Sequence, residues 1–222
     1  MPTLNDSRLF GGASAAALLA FSTILAAAPV QAAQIVFDTD PFAGTTALST
    51  PGRQVVGNEL FLPSFDLNND QFVFDANIFG VTGLQFYNGF VSGLPASGVN
   101  LVVLNDTDND ANPATPFNAG TAANLIAAQI TADGPGFFIY HNQGLGLNRL
   151  VFSTNLNDNT ADLKVLARML APTGVDAIAI LDDFQGNDFN SVPEPATVSL
   201  LAGGAALAFA LRDRARTVKS RL

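Results

Sequence analysis

The 222-residue chain contains no cysteine and no tryptophan, has a single histidine, and carries only ten lysines and arginines. The lack of cysteine excludes disulfides, thiolate metal sites, a cysteine nucleophile and a lipidated N-terminal cysteine. Stability must then come from an apolar core, for which 18 phenylalanines supply bulk. One histidine, His141, rules out any multi-histidine metal centre. The cations are scarce and badly spread: Arg212, Arg214, Arg216, Lys219 and Arg221 crowd the C-terminus. From Ala33 to Ser191 only Arg53, Arg149, Lys164 and Arg168 stand against fifteen aspartates and Glu59, four against sixteen, a net charge of −12. Such a body repels phosphate backbones and anionic headgroups, so nucleic acid is not an expected partner. Cations and neutral surfaces are.

No apolar run in the chain reaches the length of an ordinary membrane span. At the N-terminus, Arg8 and an apolar stretch over 15–28 precede Pro29, and Val30-Gln31-Ala32 offers small residues before a cut between Ala32 and Ala33. That order reads 1–32 as a secretory signal peptide, with an uncleaved anchor helix as the competing reading. At the other end, 198–211 is uncharged. Its fourteen residues, or sixteen counted from Ala196, make about 21–24 Å of helix, against a hydrocarbon core of about 30 Å. It spans only with bilayer thinning and snorkelling arginines, the basic end staying in the cytoplasm and the body across the inner membrane.

Val192-Pro193-Glu194-Pro195, the apolar run and the arginine cluster stand in one order and register over 192–222. Together they resemble the PEP-CTERM sorting signal of Gram-negative bacteria. Asp213 inside the basic cluster is a small departure. The resemblance implies recognition by a membrane-embedded exosortase, processing near Pro193-Glu194-Pro195, and delivery to the envelope or extracellular matrix of exopolysaccharide-producing, biofilm-forming cells. The physics agrees: prolines on both sides of Glu194 keep the motif extended and non-helical, as a processing enzyme requires. Within the body, TPFNAGTAANLIAAQI, GPGFFIYHN and LVFSTNLNDNTADLKVLARM, inside 101–169, are similar to uncharacterised secreted proteins with the same tail, a likeness that implies no activity.

Between the ends, short runs rich in Val, Ile and Phe alternate with Asn, Asp, Gly and Pro clusters. Strands are expected at 34–38, 54–62, 71–79, 84–91, 99–104, 125–131, 137–141, 150–154 and 163–169. At 163–169 a helix capped at Asn159 or Thr160 competes. Short helices are expected at 122–128 and 175–181, and 137–154 reads as a hairpin with a long loop. The whole predicts one mainly β domain over 33–191, an antiparallel sandwich or jelly roll, with 185–191 as a polar tether to the tail.

Chemistry-bearing patterns are few. Asp106, Asp108 and Asp110 hold the first, third and fifth positions of a calcium-loop spacing, but Ala111 and Phe117 stand where an EF-hand needs Gly and Glu. The alternatives are a calcium loop of another kind and a solvated turn. Asp66-x-Asn68-x-Asp70 is a fainter echo. His141 is either a general base or the end of a strand. No Gly-x-Ser-x-Gly elbow and no phosphate loop occurs, nothing marks a pair of facing carboxylates, and Tyr87 and Tyr140 are the only tyrosine platforms for a glycan. The expected function is a non-enzymatic surface or matrix protein, with extracellular polysaccharide as a partner. A calcium-stabilised adhesive module and a secreted hydrolase are the alternatives.

Overall fold

The computed structural model describes residues 33–192. Strands β1 (Gln34–Phe37), β4 (Gln71–Asp75) and β10 (Phe189–Val192) form a small sheet, with β4 central and both neighbours parallel to it. A larger sheet contains β2 (Val55–Val56), β3 (Leu60–Leu62), β5 (Phe86–Gly89), β6 (Leu101–Leu104), β7 (Gly136–Asn142), β8 (Leu147–Ser153) and β9 (Leu163–Met169). Its order is β2-β9-β8-β7-β6-β5, with β3 also on β9. The domain is mainly β, as expected, but the expectation of antiparallel strands fails. Among the described residues only β7–β8 and β8–β9 run antiparallel; the other ladders are parallel.

The physical reason lies in burial. Every residue of β6 and β7 is buried, so LVVL and GFFIYHN read as continuous apolar runs rather than as alternation. Such runs carry no sign of direction. Direction is set by the connections, and between β6 and β7 the chain makes helix α2 (Ala119–Ala127), which lies back on the sheet as a parallel crossover requires. Asn118 caps α2 through Gly120 N and Thr121 N while Thr121 Oγ1 accepts from Asn118 N. Ala119, Ala122, Ala123 and Ile126 then pack on Val102, Leu104, Phe138 and Tyr140. The opposite face of the large sheet meets the small one. Phe74 stacks on Phe137 at 3.9 Å between ring centroids, and Phe65 on Phe72 at 4.4 Å.

Several local expectations change. The 125–131 strand is instead the last turn of α2 and the loop beyond it, where alanines favour helix over extended chain. The 54–62 strand breaks at Gly57-Asn58, Asn58 taking a left-handed φ of 64°. The 71–79 strand stops at Asp75, whose carboxylate caps helix α1 (Ala76–Phe79) through Asn77 N and Ile78 N. At 163–169 the strand reading holds against the helix, with an irregularity opposite Leu150/Val151. The 175–181 helix is α3 (Gly174–Ala179) followed by a 3-10 turn, Ile180–Asp183.

The most consequential correction concerns 185–191. It is no tether but part of the fold: a 3-10 turn, Gly186–Asp188, leads into β10, and Phe189 is buried against Phe72 and Phe86. The stretch FNSV has one large apolar residue, so it shows no period; its ladder with β4 and that one aromatic anchor make it a strand.

Candidate functional site: the two chain junctions

Both ends of the described body are edge strands of the small sheet, on either side of β4. At the C-terminal junction Val192 is the last ladder residue, in register with Asp75. Ser191 Oγ donates to Val81 O at 2.6 Å. Pro193, Glu194 and Pro195 therefore follow the sheet with no intervening linker. These three residues, the span 198–211 and the basic residues Arg212, Arg214, Arg216, Lys219 and Arg221 lie outside the described residues. Among the described residues no helix is long and apolar enough to cross a membrane.

At the N-terminal junction Ala32 lies outside the described residues and Ala33 begins them. Ala33 O accepts from Gln71 N at 2.9 Å, and Ala33 N donates to Asp70 Oδ1 at 3.2 Å. The turn before β4 aims that carboxylate: Asp66 N donates to Asp70 Oδ2, while Asp66 accepts from Asn68 and Asn69. The Asp66-x-Asn68-x-Asp70 spacing is thus an Asx turn holding the start of β1.

The denser acidic loop spends its carboxylates locally. Asp106 Oδ2 accepts from Val91 N, Asp108 Oδ1 from Asp110 N and Ala111 N, and Asp110 from Asn112 N and Thr115 Oγ1. Asp108 and Asp110 close turns within the loop, Asp106 ties the loop to the 91–93 turn, and the three are not gathered on one point. Among the described residues no group of three or more His, Cys, Asp or Glu side chains is placed to hold a metal ion.

His141 is the penultimate residue of β7, buried, with its Nδ1 3.1 Å from Asn148 Oδ1 across the ladder. Burial lowers its pKa from the ordinary value, and the Asn148 bond opposes that only in part. Tyr140 is buried in the core with its hydroxyl accepting from Asn142 Nδ2, and the Tyr87 hydroxyl donates to Phe90 O. The Tyr140 ring is therefore no stacking platform, while Tyr87 is half-buried against the core.

The sequence gives no sign of how the four body cations are used. Arg53 donates to Ala161 O, Gly120 O, Asn124 Oδ1 and Asp158 O, clamping the loop before β9 to α2. Lys164 Nζ bonds Gly57 O, and Arg149 and Arg168, opposite each other on β8 and β9, share Glu59. Three asparagines were equally silent: Asn88 donates to Leu181 O and Phe184 O, Asn105 to Asp182, and Asn148 to Ala177 O. They pin 174–184 across one end of the large sheet. Each is a polar residue at a strand end facing a buried carbonyl or acid, a pairing visible only once the strands are assembled.

No curated protein and no solved structure matches the chain. One family model does, the PEP-CTERM protein-sorting motif, over residues 191–215. It begins inside β10 and contains the proline–glutamate–proline segment, the apolar run and the first arginines. That match implies processing by exosortase and export through the membrane to the cell envelope or surface, and it supports a PEP-CTERM protein.

Proposed function

We propose that the protein is a surface or extracellular-matrix component with a non-catalytic structural or binding role, linked to exopolysaccharide. The supporting observation is the sorting motif joined directly to a body whose four cations are all spent on internal bonds. The net charge of the body is then strongly negative, which suits hydrated, cation-containing or neutral polymer and not nucleic acid or anionic lipid. The signal peptide over 1–32 and the temporary anchor over 198–211 belong to the same reading.

The test is the intact mass of the native protein recovered separately from inner membrane, outer envelope, matrix and medium. A species starting at Ala33 and ending near Pro193-Glu194-Pro195, co-purifying with exopolysaccharide, is the expected result. A full-length tail confined to the inner membrane would overturn the matrix role. Turnover of a polysaccharide or ester, abolished by one substitution in a folded protein, would overturn the non-catalytic role.

A further inference from the structure

Asp70 and the turn that aims it lie outside the matched sorting motif, and Asp70 touches the residue that signal cleavage is expected to make the first. We infer that Asp70 is the built-in counter-ion of the mature N-terminus, so that the cut between Ala32 and Ala33 is the one the fold is shaped to receive. The inference rests on the reading of 1–32 as a cleaved signal. Hydrolysis adds water across the Ala32–Ala33 peptide bond, leaving a carboxylate on Ala32 and an ammonium on Ala33. That ammonium replaces an amide whose nitrogen already lies 3.2 Å from Asp70 Oδ1. A single amide donor becomes a charged group with three donors, beside a carboxylate whose other oxygen is fixed by Asp66 N at 2.9 Å.

The surroundings favour the charge as well. A groove of about 180 Å³ beside the junction is lined by Gln34, Asp70, Gln71, Asn187, Asp188 and the 67–69 turn, with no cation. Asp70 contacts the new terminus, Asp188 from the 3-10 turn before β10 lines the same groove, and the Asp66 carboxylate is turned to Asn68 and Asn69. Register adds selectivity. Gln34 pairs with Gln71, so a cut one residue later places the ammonium inside the ladder, and a cut one residue earlier places it past the carboxylate.

The experiment is a pH titration of α-amine labelling on the exported, mature protein, with intact mass fixing the first residue. Wild type is compared with Asp70→Asn and with a chain carrying one glycine inserted between Ala33 and Gln34, which moves the amine while leaving Asp70 unchanged. The wild-type α-amine should titrate about half a unit or more above both variants, from an ordinary value of about 7.7–8.0. Near pH 7 it should label about threefold more slowly. Equal titration in all three proteins, or a mature chain starting elsewhere than Ala33, overturns the inference. Neither result bears on processing at the other end, which the C-terminal mass reports separately.

Discussion

Glu59 carries more than its position in a short loop suggests. Its carboxylate is 7% exposed and accepts from Arg149 at 2.7 Å and from Arg168, two arginines that face each other across the β8–β9 ladder. Burial works against its ionised form, but its own backbone amide and the two guanidiniums outweigh that and hold its pKa below the ordinary value. Glu59→Gln should leave two like charges in register, with both Nε atoms already buried and unpartnered among the described residues. A loss of at least about 2 kcal/mol in urea unfolding is expected, reduced from the fully buried case by the partial exposure of both arginines. A loss within about 0.5 kcal/mol would show that solvent already screens the pair.

His141 gives a pH signature. Its pKa is lowered from 6.5 by burial, so the folded state binds a proton less readily than the unfolded chain. The stability it permits is complete above about pH 6.5 and falls as pH drops towards the folded value. Asp188 acts in the opposite sense: burial raises its pKa from 3.8, and its contribution is lost as pH rises through the folded value. His141→Gln should therefore flatten the decline in stability between pH 7 and 5 while leaving the Asp188 slope in place. An unchanged decline would assign it to other groups.

At the scale of elements, β10 decides whether the tail hangs from the fold or belongs to it. Phe189 lies within 5.8 Å of Phe72 and of Phe86, centroid to centroid, and is followed by a four-residue ladder with β4. Phe189→Ala should cost about 3–5 kcal/mol. A chain ending at Val192 should fold like the longer one, whereas a chain ending at Gln185 should lose cooperative unfolding. Full stability in the shorter chain would restore the tether. This same strand marks the limit of what the sequence reveals. Strands at 34–38, 99–104, 137–141 and 163–169 announce themselves by apolar density, and α2 and α3 by alanine and by length. Strand direction does not, because a run buried on both faces looks the same either way. The FNSV stretch is invisible because one phenylalanine makes no period. The sorting motif, by contrast, is legible because its parts are consecutive in the sequence.

For the whole molecule, charge is the dominant unbalanced term. Between Ala33 and Ser191 the net charge is −12, and each of the four cations is already bonded inside the structure. The compact body therefore repels itself, and mobile ions should relieve that repulsion without binding anywhere in particular. The acidic loop sharpens the contrast, since Asp108 and Asp110 close turns within it and Asp106 holds Val91 N, so the three do not converge. The melting temperature of the mature body should rise between about 10 and 150 mM ionic strength, where the screening length contracts from about 30 to about 8 Å. The rise should be the same for sodium, magnesium and calcium chlorides at matched ionic strength. A further rise with millimolar calcium alone, reversed by chelator and removed by Asp108→Asn, would mean that the loop rearranges around the ion, because only binding to the folded state adds stability beyond screening. Identical curves for the three salts would leave carboxylate repulsion as the property that sets the body's stability, and with it the salt concentration at which a matrix holds this protein folded.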